Sequence, residues 1–335
     1  MCQEKFCIVC IVRNDIKTLD KKIALANYAH NSENRKVDMD KKNIPTIPAK
    51  NIVFKTQSPD QWYGIDYNMN IYRGCSHGCI YCDSRSDCFK NYDFNTVKAK
   101  DNALKIIRDD LRAMPQTGVV GNGAMSDPYN PLEKDLKLTR NSLELINAYN
   151  FGVSICTKSA LIVRDTDVLL DIKEHSPTII KFSISSADDE LCEKLEPFVS
   201  TTSERFEAMQ QLSRRGIFCG VQMVPLLPFI NDSEDNILQI LTMAKEAGAM
   251  FVYTYMGMTL RAGSREYYYE HLDKIFPGIK EKYIKRYGTR YNCISSKYKK
   301  LWTIFTEECV RLDLLFDMRN IISHYKYGYE KHLLR

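Results

Sequence analysis

The sequence has no run approaching the roughly 18 consecutive apolar residues that a membrane-crossing helix needs, so a spanning helix is not expected. The apolar stretch at residues 6–12 is followed at once by Arg13, Asn14 and Asp15, with no small-residue cleavage site, which argues against a secretory signal. There is no internal repeat of fixed period and no low-complexity tract, so neither a repeat array nor a compositionally biased chain fits. With neither a membrane segment nor a leader, the expected location is cytoplasmic.

What is present is a chain of 335 residues, 44% hydrophobic and 27% charged, enough for one large α/β domain with additions and for a core that needs no staples. Twelve cysteines are scattered at uneven spacing through a chain too large to need a disulfide scaffold. In a reducing compartment, isolated cysteines read as small buried apolar residues and clustered ones as metal ligands. Two clusters stand out: Cys2, Cys7 and Cys10, and Cys75, Cys79 and Cys82 with Cys88 nearby. The first spacing suggests a second metal site, but its segment reads as an extension without an obvious fourth ligand. The formal net charge is only +5, yet residues 280–335 hold 13 Lys and Arg against 6 Asp and Glu. That surplus suits a polyanion, and equally suits a solvated helical face.

Residues 31–43 are mostly charged and polar and lead to Pro45 and Pro48, so residues 1–65 read as an N-terminal extension and linker. From Tyr67 a βα alternation begins. Strands are expected at 67–73, 118–122, 152–156, 178–184, 217–224 and 250–255. Between them run helices carrying Leu104, Ile107, Leu111 and Met114; then Leu143, Ile146 and Tyr149; then Val168, Leu169 and Ile172; then Phe206, Met209 and Leu212. Thr139 reads as the cap of the second of these, Gly216 as the C-cap of the fourth, and Asp232 with Asp235 as a capping box for a fifth helix ending at Gly248. Six strands alternating with helices imply a parallel sheet, open or barrel-like, over residues 66–260. Both forms put chemistry at the C-terminal strand ends. Residues 261–335 read as a basic, tyrosine-containing C-terminal region with helical character.

The loop after the first strand reads Gly74-Cys75-Ser76-His77-Gly78-Cys79-Ile80-Tyr81-Cys82. Three thiolates with three and two residues between them can wrap one face of a cubane iron–sulfur cluster, and the glycines let the backbone turn around so large a group. Three ligands for four irons leave one iron open. A structural zinc ion would want a fourth ligand, and His77 is poorly placed to reach the same ion as all three cysteines.

Cys-x3-Cys-x2-Cys, with an aromatic residue just before the last cysteine, resembles the signature of the radical S-adenosylmethionine superfamily. Residues 70–74 and 82–86, Gly123-Ala124-Met125-Ser126-Asp127-Pro128-Tyr129, Thr157-Lys158-Ser159 and Pro225-Leu226-Leu227-Pro228-Phe229 look like the spore photoproduct lyase-related, DNA repair photolyase-like group. The resemblance runs over residues 47–325. It implies a partial (βα)6 TIM-like barrel in which Cys75, Cys79 and Cys82 hold a [4Fe–4S] cluster whose open iron chelates the methionine part of S-adenosylmethionine. Reductive cleavage of that cofactor then gives methionine and a 5′-deoxyadenosyl radical, with an external electron donor such as flavodoxin or ferredoxin. It also implies cofactor contacts at Tyr81 beside the adenine, at Gly123, Ala124, Met125, Ser126 and Asp127 against the methionine amino group, at Lys158 on the carboxylate and at Ser183 on the ribose. Each has a plainer rival: core packing for Tyr81, turn geometry for the glycine segment, a strand-end lysine for Lys158 and backbone capping for Ser183.

This sequence departs from the group in one respect. The spore enzymes carry a hydrogen-donating cysteine in the loop after strand two, and residues 123–129 contain none. Cys156 and Cys293 are the candidates left, and no catalytic residue is assigned. The first expectation is a lyase-like radical enzyme acting on nucleic acid. Radical chemistry on a peptide or small metabolite is the second, and a non-catalytic iron–sulfur protein the third. Arg164-Asp165 and Arg261, just past strands three and six, are candidates for substrate phosphates or carboxylates. Tyr267–Tyr269, and Tyr298 among Lys297, Lys299 and Lys300, are candidates for stacking on bases.

Overall fold

The computed structural model describes residues 44–329, apart from 60, 91 and 92. The Cys2, Cys7 and Cys10 cluster therefore lies outside the described residues.

A seven-stranded sheet carries the fold. Its strands are β1 (Val53–Lys55), β2 (Tyr67–Met69), β3 (Val119–Asn122), β4 (Gly152–Thr157), β5 (Thr178–Ser183), β6 (Phe218–Met223) and β7 (Phe251–Thr254), arranged in unbroken sequence order across the sheet. β2 to β7 are parallel, and β1 lies antiparallel on β2 at the edge. Parallel neighbours demand crossovers, and helices supply them: α1 (Ala103–Ala113), α2 (Leu138–Ala148), α3 (Thr166–Lys173), α4 (Asp189–Leu195), α5 (Thr202–Arg214) and α6 (Glu234–Glu246). After β7 come α7 (Ser264–Ile275), α8 (Ile279–Tyr287), α9 (Tyr298–Arg311) and α10 (Met318–Lys326). The order matches the six-unit partial barrel expected from the sequence.

Side-chain alternation sorts the strand residues into two cores. Val153, Ile155, Ile180, Phe182, Cys219 and Val221 pack outward with the apolar faces of the helices, among them Leu104, Ile107, Leu143, Ile146, Met209 and Leu212. Val119, Ile179 and Phe251 join Tyr63, Ile65, Ile321 and Tyr325 in a separate cluster. Strands buried on both faces are the mark of parallel sheets, and each such Ile or Phe contributes roughly 1.5–3 kcal/mol. α10 seals the second core, where the Tyr325 hydroxyl donates to the Tyr63 carbonyl at 2.7 Å.

Local signals explain most helix ends. Thr201 and Glu204 form a reciprocal capping box at the start of α5, worth about 1 kcal/mol to a Thr201→Ala change. Two expected caps are corrected. Thr139 sits inside α2, its hydroxyl donating to Pro128 O at 2.6 Å, because the buried Glu133 carboxylate already takes the Thr139 N–H. Ser233, not Asp232, caps α6; Asp232 instead accepts from the Phe229 N–H and the Ser295 hydroxyl, tying the β6 loop to the C-terminal region.

The first strand is also shorter than expected. The chain leaves the large sheet after Met69, and Tyr72–Arg73 pairs antiparallel with Lys98–Lys100, which also pairs with Thr46–Ile47. A chain that doubles back to build a ligand loop needs new partners for its backbone groups, and this small sheet provides them.

Candidate active site

The cysteine loop leaves that small sheet at Gly74 and crosses the C-terminal ends of β3 to β5. Gly74 and Gly78 have φ +79° and +72°, a conformation L side chains avoid. A Cβ on Gly74 would stand 2.5 Å from Thr96 O, and one on Gly78 would stand 2.8 Å from the Phe198 ring. The loop is pinned from outside by Cys75 N–H to Phe94 O (2.8 Å), Ile80 N–H to Leu195 O (3.0 Å) and Phe198 N–H to His77 O (3.2 Å).

Inside it lies a cavity of about 840 Å³, toward the upper end of small-molecule sites. Cys75, Cys79 and Cys82 all line it, as do Tyr81, the five residues Gly123 to Asp127, Lys158 and Ser183. The fold thus brings together every residue that the sequence nominated for the cluster and the cofactor. Cys156 also lines the cavity, whereas Cys293 is not among its lining residues and is buried in the cluster that holds Leu272 and Tyr283. Arg164 does not reach the cavity; its guanidinium pairs with Glu133 and Asp165 at 2.9 and 2.7 Å. Arg261 joins two lining residues, Asp83 at 3.6 Å and the Tyr291 hydroxyl at 2.9 Å.

The donor chemistry suits a cluster. Burial, then the Asp127 charge, pushes the Cys75 thiol up to about 11, and burial also holds the Cys79 thiol well above its ordinary value. Bare thiolates are costly here, and a coordinated metal removes that cost by deprotonating them outright. Among the described residues no three His, Cys, Asp or Glu side chains converge closely enough to hold a single ion. A cubane asks for something else, one thiolate per iron around a wide face.

Two buried carboxylates organise the rest. Asp127 accepts from Tyr129 N–H (2.9 Å), Thr157 Oγ1 (2.7 Å) and Lys158 N–H (2.8 Å), and lies 3.6 Å from His77 Nδ1. It fastens the turn after β3 to the end of β4 and to the cysteine loop. Burial lowers the His77 pKa despite the Asp127 charge, so the ring is neutral at pH 7. A Cβ on Gly123, at φ +100°, would overlap the Cys156 carbonyl, so only glycine lets this turn lie flat on β4. Ser126 Oγ donates to Gly74 O at 2.5 Å, closing turn onto loop.

Glu196, just past α4, is the second. It accepts from the Tyr81 hydroxyl and from Arg205 Nη2 (2.5 Å), with Lys158 Nζ at 3.9 Å. Lys158 Nζ also donates to Ser183 Oγ (2.6 Å), and Arg205 Nη1 to Ser183 O (2.7 Å). Burial pushes the Glu196 carboxyl up, but Arg205, Lys158 and the Tyr81 hydroxyl outweigh it and hold it below the ordinary range. Burial also pulls Lys158 down, but Glu196 together with Cys79 and Cys156 outweighs it and holds the ammonium charged. Three nominated cofactor residues are thus cross-linked by Glu196 and Arg205, neither of which sequence reading identified. One signal was there: Arg205 lies four residues before Met209 and seven before Leu212, a cation on the apolar face of α5.

Comparison with known proteins follows from this geometry. The family described as the Radical SAM superfamily matches residues 69–241. An uncharacterised protein of Mycobacterium tuberculosis strain H37Rv is 30% identical over 228 residues, 66% of this chain and 67% of that one. An uncharacterised protein of Methanocaldococcus jannaschii is 32% identical over 195 residues, 57% and 70% of the two chains. Among solved structures, spore photoproduct lyase with bound AdoMet and dinucleoside spore photoproduct aligns with TM-score 0.58 at 14% identity, over 76% of this chain and 77% of that one. At that identity the likeness is one of fold.

Proposed function

The chain belongs to the radical SAM superfamily, an iron–sulfur class that uses S-adenosylmethionine, and on that premise we propose that it applies radical chemistry to a nucleic acid, as a lyase of the spore photoproduct lyase kind. The observation that carries the radical part is the convergence of Cys75, Cys79, Cys82, the Gly123 turn, Lys158 and Ser183 on one cavity. When bound, cluster and cofactor would supply reductive radical chemistry toward the substrate. The chain's own residues do the rest. Cys75, Cys79 and Cys82 would hold the cluster through their thiolates. The turn from Gly123 to Asp127 offers backbone groups to the methionine amino end, Lys158 offers a charge-assisted bond to the carboxylate, and Ser183 offers a hydroxyl to the ribose. Tyr81, anchored through Glu196, forms a fixed wall beside the adenine. An external protein donor such as flavodoxin or ferredoxin supplies the electron.

Support for a nucleic-acid substrate is more indirect: the basic C-terminal region, the exposed Tyr298 ring stacked on Trp302 at 6.2 Å, and the substrate named with the structurally similar lyase. Against it, Lys297 and Lys300 already pair with Asp232 (3.8 Å) and Glu234 (2.8 Å), which favours a peptide or small metabolite as the second reading. Anaerobically reconstituted protein should hold about four irons and four sulfides and release 5′-deoxyadenosine under a strong reductant, and Cys75→Ala should lose both. Labelled single- and double-stranded DNA and RNA, titrated at several salt concentrations, test the substrate. Binding that weakens with salt, with a flatter slope after joint replacement of Lys297, Lys299 and Lys300, supports nucleic acid. No binding at low salt moves the substrate to the second reading.

A further inference from the structure

We propose that the side of the cavity away from the cysteine loop is a specificity pocket for an uncharged ring bearing an N–H group, read by the side-chain amide of Gln222. The inference rests on the reading above, in which the cysteine side takes cluster and cofactor.

Aromatic side chains wall this side. Trp62, Tyr253, Tyr255 and Tyr291 line it together with Met258. Trp62 meets Tyr253 edge-on at 5.5 Å and Tyr63 edge-on at 5.3 Å, so the wall is fixed before any ligand arrives. Such a surface favours a flat, apolar-faced group.

Polarity then narrows the class. Gln222 lies on β6 directly beside Ser183 of β5 and lines the cavity, and its Oε1 is buried with no hydrogen-bond partner among the described residues. Across the cavity, directly after Cys82, Asp83 Oδ1 is a second buried acceptor with no hydrogen-bond partner among the described residues. Buried acceptors left unmatched are costly, so their natural complement is a ligand that donates. A ring N–H, with or without an adjacent carbonyl for the amide nitrogen of Gln222, meets that need.

Charge excludes the rest. Lys158 is the one Lys or Arg among the described residues lining the cavity, and it is engaged by Ser183 and Glu196. A phosphate or carboxylate drawn in among Trp62, Gln222 and Tyr253 would be desolvated without a counterion, which is strongly unfavourable. Any anionic part of the substrate therefore stays outside, where Arg261 bridges Asp83 and Tyr291 without itself lining the cavity.

Equilibrium dialysis on cluster-loaded protein, with the cluster oxidised and S-adenosylmethionine saturating, tests this. Iron content and cofactor affinity are measured first on the same sample, so a failure of the radical SAM site is seen separately from a failure of the pocket. The probes are uracil against 1,3-dimethyluracil, indole against 1-methylindole, and benzoate as an anionic ring. Each N–H compound should bind about tenfold more tightly than its methylated partner, or 1.4 kcal/mol, and benzoate should bind least. Gln222→Leu should erase the preference for N–H, while Trp62→Leu should weaken all the rings and keep that preference. The proposal is overturned by equal binding of methylated and unmethylated partners, by a preference for benzoate, or by no binding of any probe at millimolar concentration. It is also overturned if Gln222→Leu lowers cofactor affinity instead, because the amide would then serve S-adenosylmethionine.

Discussion

Arg205→Met removes a guanidinium that is 0% exposed and makes four contacts: Ser200 O at 2.8 Å, Ser183 O at 2.7 Å, Glu196 at 2.5 Å and Cys192 Sγ at 3.4 Å. Methionine approximates its volume, so the main loss is electrostatic. Glu196 is left buried with Lys158, the Tyr81 hydroxyl and the Cys192 thiol and no guanidinium. Breaking one side of a buried pair typically costs 3–5 kcal/mol. With about 2.1 cal/mol/K of unfolding entropy per residue over 335 residues, that is a fall of about 4–7 °C in Tm. The deficit should also depend on pH. In the parent, Glu196 is depressed below its unfolded value, so its contribution is present above the unfolded pKa and disappears only as pH falls through the folded one. In the variant burial dominates and the carboxyl is raised, so the penalty is greatest at neutral pH and eases as the group takes up a proton. Thermal unfolding followed by circular dichroism at pH 8 and pH 5 measures both effects. Adding Glu196→Gln to Arg205→Met should restore part of the loss, since the unpaired charge is then gone. A deficit under about 1 kcal/mol, or one that does not change with pH, would refute the reasoning.

Gly78→Ala forces a side chain into the left-handed region and against Phe198 and Pro197, a strain of roughly 1–2 kcal/mol before the clash is counted. Iron per chain after reconstitution should fall, and full occupancy would show that the loop does not need this glycine. Lys158→Ala should weaken S-adenosylmethionine binding by on the order of 1.5–3 kcal/mol, read by isothermal titration, and an unchanged affinity would free the carboxylate for another partner. Cys88 is the exposed thiol among the described cysteines, lowered by the Ser86 hydroxyl and by Arg261. Iodoacetamide at neutral pH should therefore mark it before the other described cysteines of reconstituted protein, by peptide mapping. Arg261→Ala should slow that labelling.

The order of strands and helices was legible because each unit states its own period: alternation in Val153–Ile155, three-to-four spacing in Leu104, Ile107 and Leu111. The cysteine loop was legible for a different reason. Its spacing and glycines encode a local turn, and local turns survive without knowledge of the rest of the chain. What could not be read was pairing at long range. Glu196 is 115 residues from Tyr81, and nothing local to either marks a contact that depends on how α4 docks against the loop. Asp232 failed as a cap for the same reason, since its partner Ser295 is 63 residues away. The early exit of the first strand at Met69 likewise depends on Lys98–Lys100, a segment with no strand signal of its own.

The two buried carboxylates also separate what the fold must supply from what a bound group must supply. Glu196 is opposed by Arg205 and Lys158, and Asp127 is met by two backbone N–H groups and a hydroxyl, so the framework around the cavity is electrostatically settled by the chain alone. The thiols are not. Cys75 and Cys79 are raised by burial, and Asp127 and Glu196 raise them further, so the carboxylates that position the loop also disfavour its ionisation. Only a positively charged centre reverses that balance. The strand ends, turn and lysine can therefore stand in their working arrangement before metal arrives, while the chemistry of the three cysteines waits for it.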